Sequence, residues 1–200
     1  AKPAADKPAA PAAKAAAAAP GDAPAEGSVE ADLCKLDLRC GKILECGKAP
    51  GADSLYLLKV DVGDDKPRQV ISSLVKHYKE DQLIGRQVVV YCNIKPGKLV
   101  GLDSEAMVLA ATAGKGTDAE KCELLTPPKG TKEGTRAMAG NLEAGSLSET
   151  QSVNKISKVW SRVQPLLMTT DKCEATFNSV PLTMGGAAVS GGSLKGAPIY

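Results

Sequence analysis

Five short runs between residues 36 and 112 restrict this chain more than any other feature. They are "LDLRCGKILEC" (36–46), "LYLLKVDV" (55–62), "RQVISSLV" (68–75), "RQVVVYCNI" (86–94) and "EAMVLAAT" (105–112). The first two alternate apolar with polar residues, imperfectly in the first, as strands with one face in a core do. The fourth carries the apolar run "QVVVYC" and reads as a buried strand. Turn formers separate the first three, "APGADS" at 49–54 and "GDDKP" at 63–67. Between the third and fourth, "KHYKEDQLIG" (76–85) is polar, has room for one helical turn, and stops at Gly85. Gly41 is expected to bend or bulge the first strand. Aromatic residues make up only 3% of the chain, so any core must rest on Val, Leu, Ile, Ala and Met.

Strand lengths and turn spacing alone support a small β-barrel or sandwich. The helical turn between the third and fourth strands narrows this to a mostly β, closed, five-stranded Greek-key barrel of the OB type. Three segments follow. Residues 1–30 are a low-complexity Ala/Pro/Lys stretch with no large apolar residue before Val29, expected to be a disordered, flexible linker. Residues 31–125 hold the barrel. Residues 126–200 form an α+β extension. In it, "SVNKISKVWSRVQPLL" (152–167) places Val153, Ile156, Val159, Trp160, Val163 and Leu167 at helical spacing, with Pro165 at its end. "CEATFNSVPLTM" (173–184) reads as a hairpin, and the last sixteen or so residues as a loose tail.

The net charge of +2 is spread as −1, 0 and +3 over those three segments. No global field points to nucleic acid, so any such binding must come from lysines gathered on one face. No run approaches the ~20 apolar residues that span a bilayer, and no secretory signal pattern occurs. A first residue other than Met fits a piece of a longer protein. Six scattered cysteines without a CxxC, and a single histidine, argue against zinc and for reduced thiols of a cytoplasmic protein. No metal and no cofactor is expected.

Catalytic patterns are weak. Ser152-Val153-Asn154-Lys155 fits S-x-x-K without its companion motifs, and His77 lies in a polar loop without a nucleophile elbow. There is no P-loop and no dinucleotide fingerprint. Asp61, Asp64 and Asp65 are explained by a hairpin turn. The stretch "CNIKPGKLVGLDSEAM" (92–107) is different, because it joins the fourth and fifth strands, where OB barrels flank their nucleic-acid groove. Lys95 and Lys98 offer charge to phosphate oxygens, Asn93 and Ser104 offer donors and acceptors, and Met107 offers a soft apolar surface. Lys42 and Arg39 of the first strand are candidate neighbours.

At these residues the chain also resembles a known family. "LDLRCGKILECGKAPGADSLYLLKVDVGD", "CNIKPGKLVGLDSEAMVLAAT" and "KVWSRVQPLLMTTDKCEATFNSVPL" are similar to the tRNA-binding domain of the endothelial-monocyte-activating polypeptide II family. That family includes multisynthetase cofactors and domains appended to methionyl- and tyrosyl-tRNA synthetases. The resemblance implies a non-catalytic module that grips tRNA by shape and backbone and serves a methionyl or tyrosyl synthetase, in cis or in trans. A protein-interaction scaffold, or remotely a cytokine-like fragment related to "RCGKILE" (39–45), is the alternative. It also implies an extension that imitates the second subunit of dimeric forms, hence a monomeric pseudo-dimer. The implied tRNA contacts are Lys42, Asn93, Lys95, Lys98, Ser104 and Met107. One departure is Leu99-Val100, where many members carry a basic residue.

Overall fold

The structure, a computed structural model, describes residues 25, 27–117, 119–147 and 153–200, and only the backbone of 153–155. Most of the expected 1–30 linker, and Ser152, lie outside the described residues. Helix α1 (Val29–Lys35) stands at the junction between the expected linker and the barrel. Ser28 caps it by accepting from the Ala31 amide at 3.1 Å, and Glu30, Asp32 and Lys35 sit where the helix dipole favours their charges.

Strands β1 (Leu38–Ala49), β2 (Ala52–Asp61) and β3 (Arg68–Ser72) form a meander. The single-turn helix α2 (Glu80–Leu83) leads to β4 (Gln87–Tyr91), which returns to pair with β1. A hairpin of β5 (Gly97–Leu99) and β6 (Leu102–Ser104) follows, then β7 (Met107–Val108) against β4. The sheet runs β3-β2-β1-β4-β7, antiparallel throughout. The five staves of an OB-type barrel are thus in place, but the expected closed ladder is not. Between β3 and residues 103–105 the seam is crossed mainly by side chains. Ser104 Oγ accepts from the Ile71 amide at 3.1 Å, Glu105 Oε2 from the Gln69 amide at 2.9 Å, and the Gln69 side-chain amide donates to the Asp103 carbonyl at 2.8 Å. One backbone bond, Glu105 N to Gln69 O at 2.8 Å, joins them.

The barrel interior holds Ile43, Leu58, Val60, Val70, Leu83, Val88, Val90 and Val108. Gly41 faces this interior: a Cβ there would stand 2.7 Å from Val90 Cγ2 and 2.9 Å from Val60 Cγ1. It is therefore a place with no room for a side chain, and the bulge expected there lies at Leu44, between Ile43 and Glu45. The expected fifth strand divides at Leu109 into β7 and β8 (Ala110–Ala113), the latter paired with β9 (Lys121–Leu124).

The extension contains β10 (Met138–Ala139), β11 (Leu142–Glu143), α3 (Val153–Val163), a 3-10 turn (Gln164–Leu166), β12 (Leu167–Thr169), β13 (Ala175–Phe177), β14 (Val180–Met184) and β15 (Ala187–Ala188). Its sheet runs β11-β10-β14-β13-β12, with β15 beside β14. Residues 134–137 extend the edge of β1 through bonds such as Cys40 N to Thr135 O and Ala137 N to Leu38 O.

A second core fills the space between barrel and extension. Leu38, Cys40, Val89, Tyr91, Leu109 and Ala111 meet Ile156, Val159, Val163, Phe177, Leu182 and Ile199. This explains the unbroken "QVVVY": Val88 and Val90 face the barrel interior, Val89 and Tyr91 the extension, so β4 is apolar on both sides. Trp160 of α3 stacks on Tyr91 with centroids 4.9 Å apart. Cys34, Cys40 and Cys46 share no face, since the first lies in α1 and the others belong to opposite cores. The expected loose tail is ordered. Tyr200 exchanges both backbone bonds with Ala110, the Thr112 amide donates to Pro198, and Ile199 is fully buried.

Candidate nucleic-acid interface

The loop from Cys92 to Ala106 rises from the end of β4, carries the β5–β6 hairpin and returns at β7. Lys95 and Lys98 on it are exposed, and neither forms an ion pair or hydrogen bond among the described residues. Lys98 faces Asp103 across the hairpin. The hairpin closes with Val100 at φ 51° and Gly101 at φ 78°, both in the left-handed region that a type I′ turn demands. Glycine takes this freely. A β-branched valine does not, at a cost of about 1–3 kcal/mol. Leu99 and Val100 are 47% and 52% exposed at this tip.

Asn93 and Ser104 stand at the two feet of the loop with their side chains engaged inward. Asn93 Oδ1 accepts from the Asp37 amide and its Nδ2 donates to the Lys35 carbonyl, both at 2.8 Å. Ser104 donates to the Ala106 carbonyl at 3.0 Å while accepting from Ile71. One amide hydrogen and one oxygen lone pair of Asn93 remain for a ligand. Met107 is half-buried against the second core, opposite Tyr91. All five lie on this loop or at its feet, Met107 being the first residue of β7. Lys42 is not among them: it pairs with Gln87 at the far end of β4, four residues along from Leu38 and so roughly 13 Å away.

Arg39 is occupied. Its guanidinium holds Asp37 at 2.6 Å and Asp64 at 2.9 Å, and the bond to Asp37 raises its pKa. Arg68 joins the same cluster through Asp64 and donates to the Cys92 carbonyl at 2.6 Å, pinning the start of the loop. Burial opposes charge on Asp64, but its bonds to Arg68 and Arg39 outweigh this and hold its carboxyl below the usual value. Asp61 accepts from the Gly63 amide, as a turn residue does. Nothing in the sequence singled out Arg68, because its role depends on a carbonyl 24 positions away. A groove of about 1190 Å³ runs beside the loop, lined by Lys66, Arg68, Asn93, Ile94, Pro96 and Ile156 among others. Burial pushes the Cys92 thiol up to about 12 and Cys40 to about 11, so neither is a reactive thiolate. Among the described residues no three His, Cys, Asp or Glu side chains are placed to hold a metal ion, and no helix is long and apolar enough to cross a membrane.

An OB-type barrel carrying a lysine-bearing hairpin between its fourth and fifth strands has the layout of a nucleic-acid-binding module. Comparison with known proteins identifies the kind. Residues 38–136 match the family described as "Putative tRNA binding domain", and the chain belongs to that family. It is 41% identical over 167 residues to the aminoacyl tRNA synthase complex-interacting multifunctional protein 1 of Cricetulus griseus, covering 84% of this chain and 44% of that protein. It is 38% identical over 165 residues to the cytoplasmic tyrosine–tRNA ligase of Danio rerio, covering 82% and 30%. The chain thus spans less than half the length of these relatives. Among solved structures, the C-terminal domain of Plasmodium vivax p43 superposes with a TM-score of 0.74 at 28% identity, covering 84% of this chain and 98% of that one.

Proposed function

We propose that this chain binds tRNA by shape and backbone and brings it to an aminoacyl-tRNA synthetase, carried in the same polypeptide or bound to it. The observation that carries the reading is the exposed pair Lys95 and Lys98 on a hairpin whose feet are fixed by Asn93, Ser104 and Arg68, within a chain of the tRNA-binding-domain family. A mobile ammonium on a fixed rim suits phosphates whose position is set by overall RNA shape. Lys95 and Lys98 meet phosphate. Asn93 and Ser104 hold the rim and offer their remaining hydrogen-bonding capacity to ribose. Met107 supplies apolar contact, and Lys42 reaches a more distant stretch of backbone. Methionyl and tyrosyl enzymes are the synthetases proposed, since ligases of both kinds are among the relatives. The proposed setting is the cytoplasm, and the proposed state a monomer of three segments, linker 1–30, barrel 31–125 and extension 126–200, the last covering the barrel as a second subunit would.

Such a module acts by raising the local concentration of tRNA near a catalytic domain. The test is equilibrium binding to whole tRNA at two salt concentrations beside a random single strand of equal length. Preference for tRNA, with affinity falling steeply in salt, is expected. Equal affinity for both would reduce the chain to a general single-strand binder, and synthetase binding without tRNA binding would make it a scaffold.

A further inference from the structure

The β5–β6 tip contains more than a phosphate grip requires. A hairpin that only presented Lys95 and Lys98 would close with Asn-Gly or Gly-Gly, which take a type I′ turn without strain. This one holds Val100 at φ 51°, with Val100 and the adjacent Leu99 about half exposed. Singly exposed aliphatic side chains are common on protein surfaces. An exposed aliphatic pair of which one member, Val100, is held in a conformation that its own backbone disfavours is not. Strain of that kind persists where the surroundings impose it, and those places cluster at binding sites. The tip also leans toward the other rim of the barrel, since Val100 Cγ1 stands 3.8 Å from the position of a Cβ at Gly51 in the β1–β2 turn.

We propose that Leu99 and Val100 form an apolar wedge that packs against unstacked nucleobases of the bound tRNA, a proposal that rests on the tRNA reading above. The flanking chemistry selects the occupant. Lys98 is adjacent in sequence, Lys95 lies on the same loop, and both are free among the described residues. The tip is apolar at its apex, with these ammonium groups of Lys95 and Lys98 beside the carboxylate of Asp103 at its base. Mobile ammonium groups next to an apolar apex fit a ligand with flat apolar faces strung on an anionic backbone. Aliphatic side chains inserted at base steps gain contact only where stacking is already broken or is broken by them. Folded tRNA offers such bases in its loops, whereas a fully paired duplex hides them.

The wedge and the lysines differ in their response to salt. Phosphate contacts set the slope of log affinity against log salt, and an apolar contact shifts the whole line without changing the slope. Binding is therefore measured across a salt series for whole tRNA and for a fully paired RNA duplex of similar length, with the wild-type chain, Val100→Asn and Leu99→Ser/Val100→Asn. Asparagine accepts the left-handed turn, so Val100→Asn keeps or raises Tm and guards against loss through misfolding. The double variant is expected to bind tRNA roughly tenfold more weakly at every salt concentration with an unchanged slope, and to bind the duplex as before. Unchanged tRNA affinity, an equal loss on the duplex, or a lower Tm for Val100→Asn would each overturn the wedge. Loss of synthetase binding with intact tRNA affinity would overturn it in favour of a protein contact. If the wild-type chain shows no salt-dependent tRNA binding, the tRNA reading fails and the wedge with it. If it does and the variants match it, only the wedge fails.

Discussion

At the scale of single residues, the rim separates side chains that reach outward from side chains that hold it in place. Lys95→Glu/Lys98→Glu should weaken tRNA binding by about 10²-fold at moderate salt and flatten the salt slope by about 2, while Tm stays near that of the wild type. A salt titration by fluorescence anisotropy checks both. Asn93→Ala should behave in the opposite way. It strands the Asp37 amide and the Lys35 carbonyl, and should cost about 2 kcal/mol of stability, read from chemical denaturation. The exposure of Lys95 and Lys98 was legible because residue type and loop position sufficed. The inward bonds of Asn93 and Ser104 were not, since their partners lie 56, 58 and 33 positions away. The separation of Lys42 from the loop was not legible for a related reason: adjacency to Gly41 in sequence says nothing about distance along the β1–β4 ladder.

Among elements, strands β1 to β4 were legible, while the β5–β6 hairpin, expected as a plain loop, and the helix caps were not. Alternation and turn residues located β1 to β3, because a half-buried strand writes its period into the chain, and β4, apolar on both faces, was legible from its unbroken apolar run. Helix α1 was hidden behind low-complexity sequence. Its signals, Ser28 as cap and Leu33 in the second core, are too short to stand out before a partner surface is known. That partner includes α3, whose Arg162 pairs with the fully buried Asp32, while Lys35 holds the same carboxylate at 3.1 Å. Arg162→Ala should therefore lower Tm by several degrees, as removal of one partner of a buried carboxylate does, although half of the arginine lies in solvent. The Asp64 cluster gives a pH signature. Its pKa in the folded chain lies below the ordinary 3.8, so its contribution is complete above that value and disappears as pH falls through the lowered one. Tm measured between about pH 5 and pH 2 should drop more steeply for the wild type than for Asp64→Asn.

For the whole molecule, two cores share the inner strands β1 and β4. Ending the chain after Leu125 would remove the extension and expose Leu38, Val89, Tyr91 and Leu109 together. Such a fragment is expected to dimerise or aggregate and to bind a hydrophobic dye, as light scattering and dye fluorescence would show. The amphipathic spacing of α3 predicted a covered face. The ordered path of 185–200 was not foreseen, because glycine-rich sequence looks loose until Ile199 and Leu194 are seen to be buried. The side-chain seam between β3 and residues 103–105 has one last consequence. The strand bearing the rim is joined to its neighbour on one side by backbone and on the other largely by Ser104, Glu105 and Gln69. Exchanging Ser104 and Glu105 is therefore expected to change the tilt of the hairpin, and with it the angle at which this surface greets its ligand, more than it changes the barrel beneath.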